Sequence, residues 1–201
     1  MTSRDAALRA LLACRKSGAW SDGALKELLR GMERREAALA SRLCYGVLQN
    51  RMLLDWQLAQ FTKLKKLQPA VHEILRLALY QLTLADKIPA SAAVNEAVEQ
   101  TKRFANPQAA RLVNAVLRNA LRAQPLPQPE SLRVKYSHPQ ELTELFLEQF
   151  GQETTENLLK SHNEAPQTVL QINRLRTTTQ ETMNALHEAN VECSVHPWLP
   201  D

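Results

Sequence analysis

Glycine is scarce and scattered in this chain: Gly18, Gly23, Gly31, Gly46 and Gly151 are the five among 201 residues. No glycine-rich loop exists, so no turn of this chain can close its backbone on a phosphate or a dinucleotide. Cysteine is equally sparse. Cys14, Cys44 and Cys193 are an odd number at wide spacing with no CxxC pair, which gives neither a disulfide framework nor a zinc site. The histidines do not cluster either. His187, Cys193 and His196 come nearest to a metal set but lack a recognised ligand spacing, so no metal is expected. No apolar run approaches the ~20 residues that span a bilayer, and the polar start Met1-Thr2-Ser3-Arg4-Asp5 lacks the apolar stretch of a secretory signal. The expectation is a cytoplasmic protein with no membrane role. Asp55-Trp56 reads as a cap or a buried polar contact, and no catalytic constellation remains. The chain alone is expected to be inactive as an enzyme, with no catalytic residue and no cofactor of its own.

What is present is a split in charge. Residues 1–122 carry 20 Lys plus Arg against 10 Asp plus Glu, whereas residues 123–201 carry 5 against 11. The net +4 of the whole therefore hides a basic part joined to an acidic one. A helical segment this basic attracts polyanions, and phosphate contacts of that kind dominate nucleic-acid affinity. The candidate RNA-binding residues are Arg4, Arg9, Arg15 and Lys16 on and just after the first helix, with Lys102, Arg103, Arg111, Arg118 and Arg122 on the last two helices before residue 122. If these terminal helices pack side by side, they make one basic face. Lys63, Lys65 and Lys66, clustered in a turn, form a second patch.

Up to residue 122 the apolar pattern is helical almost throughout. Ser3 can cap a helix carrying Ala7, Leu8, Leu11 and Leu12, which Gly18 ends; Ser21 can cap a second with Leu25, Leu28 and Leu29, closed by Gly31. Leu39, Leu43, Gly46 and Val47 share a helix face, and Leu54, Leu58 and Phe61 continue the period. Pro69 suits the first turn of a helix with Val71, Ile74, Leu75, Ala78, Leu79 and Leu82. Further helices begin near Ser91 and at Asn106-Pro107. A mainly α fold results, a compact bundle of about six or seven helices over residues 1–122. Three alternating prolines, Pro125, Pro127 and Pro129, mark residues 123–135 as an extended, semi-rigid linker. Residues 136–201 then read as helices ending at Gly151 and including Leu158-Leu159, and beyond Pro166 as a strand (168–173), a helix (179–190) and a second strand (191–195). A β-α-β unit alone buries too little surface to be stable, so this small α/β segment is expected to be incomplete, with further structure following Leu199-Pro200-Asp201.

Several runs carry a family resemblance. Leu43-Cys44-Tyr45-Gly46-Val47-Leu48, Leu54-Asp55-Trp56, Leu79-Tyr80-Gln81-Leu82, Ile88-Pro89-Ala90-Ser91-Ala92-Ala93-Val94-Asn95-Glu96-Ala97-Val98 and Leu112-Val113-Asn114-Ala115-Val116-Leu117-Arg118 resemble the NusB-type all-helical RNA-binding domain. More narrowly, they are similar to the copy that opens RsmB (Sun-type) ribosomal RNA cytosine-C5 methyltransferases. Tyr136-Ser137-His138-Pro139 and Leu170-Gln171-Ile172-Asn173-Arg174 resemble the next segment of that family. The resemblance implies a parent that methylates small-subunit (16S) rRNA with S-adenosylmethionine, and for this chain the positioning of substrate rRNA, with the methyltransferase domain missing in cis. The family's attacking cysteines lie in that domain, one of them after a proline; Cys14, Cys44 and Cys193 follow Ala13, Leu43 and Glu192 instead. The alternatives are a NusB-type transcription antitermination factor, which ends near the last bundle helix whereas 79 residues follow Arg122 here, and a helical module that docks its basic face on an acidic protein.

Overall fold

The computed structural model describes residues 1–85, 88–164 and 168–198. Pro166 and Leu199-Pro200-Asp201, where the sequence pattern changes and where it stops, lie outside the described residues. By its contacts the chain divides into Met1–Asn163 and Glu164–Asp201. The first unit begins with seven helices: α1 (Ser3–Ser17), α2 (Ser21–Leu29), α3 (Arg34–Gln49), α4 (Arg51–Ala59), α5 (Pro69–Thr83), α6 (Ala90–Phe104) and α7 (Pro107–Arg122), with a 3-10 turn at Leu64–Lys66. The short α8 (Leu132–Lys135) and α9 (Gln140–Asn163) follow.

The helix boundaries show why these residues fold this way. Thr2, one residue before the expected cap, accepts the Asp5 amide on its hydroxyl, and Gly18 ends α1 in the left-handed conformation at φ 63°. α2 starts behind Trp20 with no side-chain cap, so Ser21 is its first residue and not its cap. Asn106 caps α7 through the Ala109 amide at 2.8 Å, and Pro107 takes the first turn, where its missing N–H costs nothing. Gly151, at φ 73° and ψ 176°, breaks α9 into two helical pieces.

α5 is the centre. Every residue from Val71 to Gln81 is buried, and α1, α3, α4, α6 and α7 all pack on it. Leu8, Leu11, Leu43, Leu54, Leu58, Ile74, Leu75, Leu79 and Leu117 are fully buried in the shared core. Complete burial of a leucine contributes about 1.5–3 kcal/mol, so the bundle rests mainly on this set. Gly46 lets α3 approach α5 closely: a Cβ there would overlap the Tyr80 ring.

The prolines after α7 do not give a free tether. Leu126 is buried in the bundle core and Pro129 is buried as well. α8 packs on α4 and α9. Ser137, at φ 55°, accepts the Met52 and Leu53 amides at 3.1 Å each, so it caps α4 from the far side of the linker. The sequence places a boundary at 135/136, and the contact grouping falls at 163/164.

Within Glu164–Asp201, α10 (Thr179–Glu188) opens with a capping box in which Thr178 and Glu181 satisfy each other's amides. Residues 168–173 and 191–196 form no strand among the described residues. A strand is defined by a partner, and neither run has a ladder there.

Candidate nucleic-acid interface

The nine cationic candidates do not gather on one face. α1 lies along α2, α3 and α5, whereas α7 pairs with α6 and α5, so the two ends of the bundle do not run side by side. They fall instead into three places.

The first is the start of α1 against the end of α6. Asp5 is buried and accepts both Nη groups of Arg103, at 2.9 and 3.0 Å, and the Gln100 amide at 3.1 Å. The guanidinium carbons of Arg9 and Arg103 stand 5.2 and 5.8 Å from the Phe104 ring centre, within cation–π range. Arg4 turns its Nε to Gln81 at 2.7 Å. This group joins helices as well as carrying charge. Lys102, beside it on α6, pairs with Glu99 at the surface.

The second place is the far end of α1. Arg15 donates to Glu73 at 3.0 Å and to His72 Nδ1 at 3.2 Å while staying open to solvent, as Lys16 is. Arg15 belongs to a partly buried ion network. Arg76 donates to both oxygens of Asp55, at 2.7 and 2.5 Å, and to Glu73 at 2.5 Å, and His72 Nε2 donates to Asp55 at 2.8 Å. Burial opposes the charge of Asp55, yet the hydrogen bonds from His72 and Arg76 outweigh it and hold the carboxyl at about 2. Burial pushes the Cys44 thiol up to about 12, so it stays a protonated core residue.

The third place is the outer stripe of α7. Arg111, Arg118 and Arg122 are all exposed and are spaced at i, i+7 and i+11, which puts them on one helix face. Lys63, Lys65 and Lys66 are also exposed, on and just before the 3-10 turn. Sequence reading missed Asp5 and Phe104 as organisers of the first group, because nothing in a helix start signals a partner 98 positions away.

Among the described residues, no three His, Cys, Asp or Glu side chains stand close enough to hold a metal ion, and no helix is long and apolar enough to cross a membrane. Among the described residues the five glycines stand apart along the chain, and the one in a close approach, Gly46, faces the Tyr80 ring.

The first unit is a helical bundle packed around the buried α5. It shares its fold with NusB in the crystal structure of antitermination factors NusB and NusE in complex with dsRNA, at TM-score 0.57 and 19% identity, over 60% of this chain and 94% of that one. A crystal structure titled PH0851 matches all of this chain at TM-score 0.63 and 19% identity, over 47% of its own length. The NusB family model matches residues 1–122, and the ferredoxin-like domain of RsmF/B-like methyltransferases matches residues 138–201. The chain belongs to the NusB family. It is 36% identical to transcription antitermination protein NusB of Bacillus velezensis over 121 residues, 59% of this chain and 92% of that protein. It is 32% identical to the probable ribosomal RNA small subunit methyltransferase B of Bacillus subtilis over 199 residues, 94% of this chain. The corresponding protein of Klebsiella pneumoniae is 32% identical over 88% of this chain. The chain spans 44% and 42% of the length of those two methyltransferases.

Proposed function

We propose that this chain is the RNA-binding region of a small-subunit rRNA cytosine-C5 methyltransferase, acting in the cytoplasm to hold substrate rRNA for a methyltransferase domain of the same protein. The observation that carries this reading is the sequence of domains. A NusB-family domain is followed on one chain by the ferredoxin-like domain of RsmF/B-like methyltransferases, and similarity to ribosomal RNA small subunit methyltransferase B runs along 94% of the chain. In this reading residues 1–122 bind RNA, residues 123–135 connect, and residues 136–201 lead to the methyltransferase domain. Arg4, Arg9, Arg15, Lys16, Lys102, Arg103, Arg111, Arg118 and Arg122 supply the positive field. S-adenosylmethionine donates the methyl group in the whole protein, bound outside the residues described above.

The test is a titration of a fluorescent small-subunit rRNA fragment at increasing KCl. Log affinity should fall linearly with log salt, because each neutralised phosphate releases counterions. RNA affinity that is undetectable at low salt, beside tight binding to an acidic protein, would favour the protein-docking alternative.

A further inference from the structure

α6 and α7 leave between them a recess of about 390 Å³, lined by Ser91, Val94, Asn95, Arg118, Leu121 and Arg122. It is a shallow depression, open to solvent along the helix pair. Its floor is apolar, with Val94 buried and Leu121 packed against the core. Its rim is polar: Ser91 and Asn95 are exposed on α6, and Arg118 and Arg122 stand one turn apart on α7.

Arg118 and Arg122 give this recess its charge. Arg15 and Arg103 each have a carboxylate partner, as Lys102 does. Among the described residues, neither Arg118 nor Arg122 is paired with a carboxylate, and no acid lines the recess. The Arg118 Nε donates to Asn114 at 3.2 Å, which steadies the side chain and leaves its Nη groups available. Two like charges one turn apart on a helix repel each other, and an anion between them reverses that cost. The guanidinium fork matches phosphate oxygens in pairs. The second recess, between α8 and α9, has a similar volume of about 420 Å³ but sets Glu130 and Glu144 against the one cation Arg133, a net negative lining that disfavours the same ligand.

We propose that the α6–α7 recess holds one nucleotide of single-stranded RNA, with its phosphate on Arg118 and Arg122, its sugar or base over Val94 and Leu121, and its polar edge on Asn95 and Ser91. The proposal rests on the RNA-binding reading above and assigns that binding a built site. Single-stranded RNA is the class that fits, because only an unpaired nucleotide can leave its stack to enter a concave site.

The experiment compares the wild-type chain with Arg118→Gln, Arg122→Gln, the double variant Arg118→Gln/Arg122→Gln, Asn95→Ala and Arg111→Gln. Arg111 lies on the same stripe outside the recess, and removing it changes the net charge as one recess arginine does. Binding of a fluorescent single-stranded rRNA oligonucleotide is measured at several KCl concentrations, with circular dichroism confirming the fold of each variant. The double variant should bind at least about tenfold more weakly, since charged hydrogen bonds are lost. Its salt slope should shrink by about 0.7, the contribution of the one phosphate that the two arginines share. Asn95→Ala should weaken binding with an unchanged slope, and Arg111→Gln should cost less than either recess arginine removed singly. A folded double variant that binds like wild type would overturn the recess and leave the RNA reading standing. Equal losses from Arg111, Arg118 and Arg122 with none from Asn95→Ala would also overturn it, leaving a diffuse field. Absence of salt-dependent binding by the wild type would remove the RNA reading, and the recess with it.

Discussion

Asp55 shows how much one side chain can settle in this bundle. It sits on α4 and holds Arg76 and His72 of α5, and Arg76 in turn reaches Glu73, which Arg15 of α1 also binds. Three helices are thereby fixed in register around buried charge. Removing one partner of such a group leaves the other uncompensated, and Asp55→Asn is expected to cost about 3 kcal/mol, read as a lower urea midpoint. The pH dependence follows from the depressed carboxyl. The unfolded carboxyl titrates near 3.8 and the folded one at about 2, so its stabilisation is complete above about pH 4 and is lost as pH falls from about 4 to about 2. Urea midpoints measured across that window should fall for wild type and change less for Asp55→Asn. The sequence offered Asp55 as a buried polar contact or a cap, and the first is what the structure holds. Glu73 and Arg76 were not legible, since they occupy positions of α5 that a pattern of apolar residues leaves to solvent. They are buried because helices pack on α5 from several sides.

At the scale of elements, the legible parts were those that local chemistry controls. Gly18, Pro69, Asn106-Pro107 and Gly151 mark their helix ends as read, because a left-handed residue, a fixed φ or a side-chain cap acts within its own turn. The illegible parts depend on distant partners. Asn50 spends its side-chain amide on the Gly46 carbonyl at the end of α3, so the start of α4 is capped by Ser137, 85 positions after Met52. Ser137→Ala is therefore expected to destabilise the first unit by about 1 kcal/mol, the usual cost of a lost cap. Faster hydrogen exchange at the Met52 and Leu53 amides would locate the loss. The linker was read from its prolines alone, which report backbone stiffness. That reading carried no information on Leu126, whose apolar side chain finds the core.

The whole molecule is uneven in its protection. Leu8, Leu43, Leu54, Ile74, Leu75 and Leu117 of the first unit are fully buried, whereas α10 has no buried residue, and Leu170, Leu175 and Trp198 are exposed. Hydrogen exchange should show α5 among the slowest segments and residues 168–196 among the fastest, since local opening follows the density of buried contacts. The charge split was legible as a basic part and an acidic part, and the structure adds that the nine candidate cations lie in three places on the bundle. Only packing could show this, because a charge count is blind to which helices are neighbours.

The clasp between Asp5 and Arg103 has a consequence in time. Its two halves are separated by 98 positions, so on a growing chain the first turn of α1 must wait until α6 has been made. Closing that loop costs conformational entropy before the contact rewards it, and the clasp is expected to close after the rate-limiting step because it joins two helix ends at the edge of the core. Asp5→Asn is accordingly expected to leave the folding rate nearly unchanged and to raise the unfolding rate, which the two arms of a denaturant chevron would separate. The first turn made would then be among the last to lock, and opening the clasp would be an early event when the bundle comes apart.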